Sequence, residues 1–178
     1  MSIVKPTLLP EAPTGELRLT LALNRLGVHR PILLLFRAAS RLGDGVFWYA
    51  LMSVLALVGG SEGLAAATHM ALTGLVVAAL YRAMKRLIRR PRPFRRHAGI
   101  VARIRPLDEF SFPSGHTLHA VTFSLVAIAW YPFLAWVLLP FTALVAASRV
   151  ILGVHYPSDV LAASAIGFAI ASVSISLV

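Results

Sequence analysis

The sequence predicts an all-α integral membrane helix bundle, with five to six transmembrane helices and an N-terminal amphipathic segment. Three observations carry this expectation. Of the 178 residues, 58% are hydrophobic and only 13% are charged, too few polar groups to cover an ordinary soluble domain. The apolar residues gather in runs free of Asp, Glu, Lys and Arg: Gly45 to Ser61, Gly63 to Tyr81, Phe110 to Ser148 and Val160 to Val178. The 17 Lys and Arg residues collect on one side of the topology that those runs imply.

Residues 1–15 hold Pro6, Pro10 and Pro13 and read as an extended tail without the basic-then-apolar layout of a cleaved signal peptide. Residues 16–41 interleave Leu17, Leu21, Leu26, Leu33 and Leu34 with Arg18, Arg25, Arg30, Arg37 and Arg41. That pattern predicts one or two amphipathic helices at the membrane surface, with Pro31 marking a break. Residues 42–178 form the membrane-embedded domain. A transmembrane helix takes about 17–25 mostly apolar residues, and in lipid the backbone must satisfy its own hydrogen bonds. Spans are therefore expected near 45–61, 63–82, 115–131, 133–151 and 158–178. Trp48, Trp130, Tyr131 and Trp136 are expected as interfacial anchors. The absence of cysteine excludes disulfides and thiolate metal sites.

A net charge of +10 would suggest nucleic acid in a soluble protein. Here five spans would put residues 1–44, residues 82–114 and Arg149, with every Lys and Arg, on one side of the membrane. The bilayer, not nucleic acid, is the expected partner, and the positive-inside rule points that basic side towards the cytoplasm. A basic rim also attracts anionic lipid head groups.

Three stretches carry the chemistry: Lys85 to Pro93 (KRLIRRPRP), Pro113 to His116 (PSGH) and Ser148 to Asp159 (SRVILGVHYPSD). Lys85, Arg92 and Arg149 are cations suited to the equatorial oxygens of a phosphoryl group, where positioning and charge stabilisation do most of the catalysis. Lys85 and Arg92 sit in a charge run with Arg86, Arg89, Arg90, Arg95 and Arg96, and only their spacing singles them out. Ser114 stands at a helix N-cap and Gly115 lets backbone approach an anion, whose charge the free N–H groups of a helix start favour. His116 would then face the leaving group from the first helical turn. Taken alone, PSGH reads better as a plain helix start with His116 an interfacial residue. His155 and Asp159 lie four apart across Pro157, a spacing that lets a carboxylate orient an imidazole. As an isolated pair they could equally be a surface salt bridge. An antiparallel third and fourth span would bring His116 and Arg149 to one face.

Five other polar residues carry weaker expectations. His119 would be a partnered helix histidine near the entrance, and His69 a hydrogen bonder within the bundle. Asp44 would pair with a site cation, while Asp108 and Glu109 would order the loop before PSGH. No His, Asp and Glu cluster has metal-ligand spacing.

The spacing Lys85-x6-Arg92-Pro93, then Pro113-Ser114-Gly115-His116, then Ser148-Arg149-x5-His155-x3-Asp159 resembles the tripartite signature of the type 2 phosphatidic acid phosphatase superfamily. The resemblance covers about residues 44–178, with the amphipathic segment 16–41 standing where the family has its first helix. It implies a membrane-embedded helical phosphatase domain, commonly of six spans, that needs no metal or other cofactor. It implies His155 as nucleophile forming a phosphohistidine, Asp159 orienting it, and His116 as general acid and then base. Lys85, Arg92, Arg149, Ser114 and Gly115 would bind phosphate. The compact chain is similar to bacterial members of the cell membrane, whose substrates are phosphatidate, phosphatidylglycerol phosphate or a polyprenyl mono- or diphosphate. A catalytically silent lipid-phosphate binding or transport component is the alternative, but binding alone does not require His116, His155 and Asp159.

Overall fold

The computed structural model describes residues 14–178, so the tail expected over residues 1–15 lies almost wholly outside the described residues. Among the described residues eight α-helices follow one another: α1 (Gly15–Leu26), α2 (Arg30–Gly43), α3 (Val46–Val58), α4 (Gly60–Ile88), α5 (Pro93–Arg96), α6 (Gly115–Trp130), α7 (Ala135–Ile151) and α8 (Pro157–Ile175). A 3-10 turn, Pro132–Leu134, leads into α7.

By length and composition α4, Pro132–Ile151 and α8 can each cross a membrane. A fourth crossing results if α2 and α3, bent by 52° at their junction, are taken as one broken span. The expected spans at 63–82, 133–151 and 158–178 thus coincide with long helices. Those at 45–61 and 115–131 correspond to α3 and α6, which at 13 and 16 residues are short for a bilayer. The segment expected to be amphipathic, residues 16–41, divides into α1 and α2 at Gly27 to His29 rather than at Pro31. Pro31 falls in the first turn of α2, where its missing N–H removes no helical bond.

Helix α6 occupies the middle of the bundle against α4, α7 and α8. Leu118, Ala120, Phe123, Val126 and Ala127 bury its flanks. Trp48 is not an interfacial anchor. Helix α3 turns it inward until it is 1% exposed, stacked among Phe47, Phe123 and Phe141. Trp136 remains exposed. Trp130 donates its indole N–H to His69 Nδ1 at 3.0 Å. The other nitrogen, Nε2, lies 2.6 Å from the Ser174 hydroxyl, which is 2.7 Å from that of Thr73. His69 is therefore the bundle hydrogen bonder its sequence position suggests.

At the opposite end, α1 and α2 grip the connections between spans. The Asn24 side-chain amide donates to the carbonyls of Val101 and Ile151, each at 3.0 Å, and accepts from the Val101 N–H at 3.0 Å. Arg37 of α2 holds the Arg103 carbonyl at 2.7 Å through NH2. These contacts fix the loop before α6 and the chain reversal after α7, which carry the motif residues.

Candidate active site

Helix α4 ends at Arg89, whose φ of 47° is left-handed, and Pro91 and Pro93 prevent its continuation. Lys85 lies in the last turn and Arg92 in the extended stretch beyond, both buried. The returning chain pairs back through Ser111 N–H to the Arg90 carbonyl at 2.8 Å. That pairing sets Asp108 between the two cations. Its Oδ1 accepts from Lys85 Nζ at 2.7 Å and from Arg92 NH2 at 2.8 Å, and its Oδ2 from the Tyr81 hydroxyl. Burial pushes the Asp108 carboxyl up, but the bonds from Lys85 and Tyr81 and the nearby positive charge outweigh it and hold it below the usual carboxylate range. Asp108 thus orders its loop by binding two cations of the site. Glu109 makes an exposed pair with Arg95, at 2.9 Å.

Arg149 ends α7, buried, with NH1 on the Ser40 hydroxyl of α2. The chain then reverses through Gly153, whose φ is +77° and where a Cβ would collide with the Val101 carbonyl, so only glycine fits. The reversal lets the N–H groups of Val154 and His155 both donate to the Arg149 carbonyl at 3.1 Å. It also sets the buried His155 ring beside Arg92, whose NH1 is 3.3 Å from Nε2 and 2.8 Å from the Val154 carbonyl.

A guanidinium only donates, so that contact makes His155 Nε2 an acceptor and leaves the ring proton on Nδ1. Nδ1 faces Asp159 Oδ2 at 3.6 Å, too far for a hydrogen bond, and has no other partner among the described residues. Burial first, then the charges of Arg149, Arg92 and Lys85, push the His155 imidazole well below its usual range. The ring is neutral at pH 7, with its lone pair in a cationic pocket.

Asp159 is fully buried and engaged elsewhere. Oδ2 accepts the Tyr156 N–H at 2.8 Å, capping α8, and Oδ1 accepts from Arg90 at 2.7 Å. Arg90 also reaches Glu16 of α1 at 2.8 Å and Ser158 at 2.6 Å, and lies 4.1 Å over the Tyr156 ring. In the sequence Arg90 is one member of a charge run, and nothing in its spacing marks it. Tyr81 is a second residue that the motifs miss, although its place one helical turn before Lys85 is a usable signal.

Ser114 is the N-cap of α6, as expected, but its hydroxyl pairs with that of Thr117 at 2.9 Å instead of capping the helix. Its N–H meets the Asp159 carbonyl at 3.3 Å, joining the starts of α6 and α8. Gly115 lies against the Tyr81 ring, where a Cβ would come within 2.7 Å. His116 Nε2 contacts the Asp44 carboxylate, so Asp44 reaches the motif histidine rather than a Lys or Arg. His119 donates from Nδ1 to the Gly115 carbonyl at 2.9 Å.

Beside His116 a groove of about 590 Å³ opens between α3 and α4. Asp44, Tyr81, Arg82, His116 and His119 line its polar end, and Met52, Ala71, Leu75 and Phe123 its apolar continuation. Among the described residues no group of three His, Asp or Glu could hold a metal ion.

A helical bundle with spans of membrane length, gathering Lys85, Arg92 and Arg149 around a buried imidazole, is by class a membrane protein with a buried cationic pocket. The PAP2 superfamily model matches residues 62–178, and the chain belongs to that superfamily. Over 168 residues it is 33% identical to decaprenylphosphoryl-5-phosphoribose phosphatase of Mycobacterium tuberculosis, covering 91% of this chain and 90% of that protein. A shorter match, 35% identical over 74 residues, links it to phosphatidylglycerophosphatase B of Escherichia coli, covering 36% of this chain and 28% of that one. The fold is that of Aquifex aeolicus LpxE, with a TM-score of 0.79, 24% identity, and 95% of this chain and 99% of that chain covered. It is also that of a PAP2-type phosphatidylglycerolphosphate phosphatase from Bacillus subtilis, with a TM-score of 0.70, 23% identity, and 90% and 84% covered.

Proposed function

We propose that the protein is a membrane lipid phosphatase that removes a terminal phosphate through a phosphohistidine on His155. Its superfamily and its named relatives support hydrolysis of lipid phosphate esters. The observation that carries the mechanism is the unprotonated Nε2 of His155, accepting from Arg92 in a buried pocket walled by Arg149 and Lys85.

The phosphoryl oxygens take the guanidinium groups of Arg92 and Arg149 and the ammonium of Lys85, displacing the Asp108 carboxylate that now occupies two of those cations. Nε2 attacks phosphorus, and the bond to the leaving oxygen breaks with its electron pair on that oxygen. His116 supplies the proton from Nδ1, since Nε2 faces Asp44, whose carboxylate offers the counter-charge a protonated His116 needs. The Nδ1–H of His155 turns positive charge towards Asp159, 3.6 Å away, and a small closure makes that a hydrogen bond. Water then attacks the phosphohistidine and gives a proton to His116, and the P–N bond breaks to release phosphate and the starting imidazole. Ser114 and the Gly115 N–H complete the oxyanion pocket at the start of α6.

The substrate is a phosphate or diphosphate head group whose tail stays in the bilayer and lies along the groove between α3 and α4. The basic stretch from Arg82 to Arg105 shares the site's end of the bundle, which supports a cytoplasm-facing site.

The test is phosphate release by purified, detergent-solubilised protein with EDTA present, on phosphatidate, phosphatidylglycerol phosphate and a polyprenyl diphosphate. Turnover should be lost in His155→Ala and blocked by vanadate, and a cold alkaline quench should trap protein-bound phosphate that is acid-labile and alkali-stable. Lipid bound without any turnover would replace this reading by that of a silent binding component. Turnover surviving His155→Ala would remove the assigned nucleophile.

A further inference from the structure

The polar end of the groove holds a cation and an imidazole, Arg82 and His119, that the phosphate pocket does not use. Arg82 stands three residues before Lys85 on α4, and His119 three residues after His116 on α6. Because α4 enters the site by its C-terminus and α6 by its N-terminus, both steps lead the same way, about 4.5 Å into the bundle. A cation and an imidazole are thus repeated one turn deeper, and both line the groove that begins at His116.

Neither side chain is consumed by the fold. The Arg82 guanidinium pairs with no carboxylate among the described residues. Arg82 is exposed at the end of the span expected over 63–82, where its guanidinium can meet an anion in the groove it lines. The Gly115 carbonyl accepts from His119 Nδ1, so the neutral ring keeps Nε2 as a free acceptor, suited to a hydroxyl. In-line attack from His155 sends the leaving group towards His116 and so into this groove.

We infer that Arg82 and His119 form a leaving-group subsite, Arg82 binding a second phosphoryl group and His119 a hydroxyl beside it. The substrate is then a lipid whose leaving group itself carries a phosphate, not phosphatidate, whose diacylglycerol would present nothing anionic to Arg82. This inference rests on the phosphatase reading above.

The experiment compares kcat/KM on phosphatidylglycerol phosphate, a polyprenyl diphosphate and phosphatidate for the intact protein, Arg82→Gln, Arg82→Lys and His119→Ala. The intact protein should prefer the two lipids with a second phosphate. Arg82→Gln should lower the ratio of either to phosphatidate by tenfold or more, and Arg82→Lys should restore most of it, which also excludes a folding defect. His119→Ala should lower the ratio for phosphatidylglycerol phosphate alone, because only that leaving group offers a hydroxyl. Turnover with a ratio unmoved by Arg82→Gln, or an intact protein that prefers phosphatidate, overturns the subsite alone. No turnover on any lipid by the intact protein overturns the phosphatase reading and the subsite with it.

Discussion

Two buried histidines lie at opposite ends of this bundle, and their surroundings differ in kind. His69 has both ring nitrogens occupied by neutral partners, the Trp130 indole on one and the Ser174 hydroxyl on the other. His155 has one nitrogen facing a guanidinium and the other without a hydrogen bond among the described residues. The first arrangement joins α4, α6 and α8 and leaves nothing to react. The second holds a lone pair among cations, a state that costs stability and that the proposed function assigns to receiving a phosphate. Burial alone therefore does not single out a candidate nucleophile, whereas an unpaired ring nitrogen among cations does.

The largest expected break of the comparison comes from exchanging the proposed nucleophile. His155→Asn keeps the volume roughly but removes the nucleophile, and turnover should fall on the order of 10⁴-fold or more. Its thermal midpoint should hold or rise, because the cations lose an uncomfortable neighbour. A matching fall in stability would mean that His155 is a structural residue like His69.

His116 and Asp44 come next. His116→Ala removes the proton donor and should cost about 10²–10⁴-fold in kcat. Asp44→Asn should cost about 10–100-fold, in line with other partners that orient a reacting histidine. If Asp44→Asn leaves kcat unchanged, the carboxylate beside His116 has no part in the proton transfer.

Arg90 sharpens the contrast from the side of Asp159. In the proposed mechanism it does not touch the phosphoryl group and acts by holding Asp159 Oδ1, with Glu16 of α1 holding Arg90 in turn. Arg90→Gln should lower kcat about tenfold with little change in KM, as for loss of an orienting partner. Glu16→Gln should lower it less, because Arg90 keeps its buried carboxylate. A rise in KM with kcat intact would make Arg90 a phosphate ligand instead.

At the neutral end, His69→Leu should leave kcat/KM within about twofold. It strands the Trp130 N–H and removes the Ser174 partner, at a cost of about 1–3 kcal/mol for a buried donor left unpaired. Circular dichroism melts in detergent would read the lowered midpoint. A large loss of activity at unchanged stability would erase the distinction between the two histidines.

Much of this was legible in the sequence because it depends on spacing. The three motifs point to Lys85, Arg92, His116, Arg149, His155 and Asp159, and the structure brings these residues to one end of the bundle. Charge-free runs mark α4, α7 and α8. Helix α6 is shorter than its run suggests, because periodicity and composition do not distinguish a 16-residue central helix from a full span when both are apolar. Trp48 misleads for a related reason, since an indole near a helix end suits an interface and a core alike. Arg90 is hidden because Arg86, Arg89, Arg90, Arg95 and Arg96 are chemically alike. Only the break at Arg89 and the return of the chain at Ser111 turn Arg90, rather than its neighbours, onto Asp159.

The smallest effect is a pH dependence that the two histidines should not share. Folded, the His155 imidazole holds its proton far more weakly than an ordinary histidine, because it is buried among Arg149, Arg92 and Lys85. In the unfolded chain it titrates near the usual value of about 6.5. As pH falls through that value the unfolded chain gains a proton that the folded ring refuses, so stability declines towards acid pH. Melts between about pH 5 and 7.5 should slope more steeply for the intact protein than for His155→Asn, and the difference between the two isolates this ring from the other histidines. Orthovanadate should raise the midpoint of the intact protein, since an oxyanion supplies the negative charge the pocket lacks. Identical slopes in both proteins would show that the cations do not govern His155, and the contrast with His69 would then rest on hydrogen-bond geometry alone.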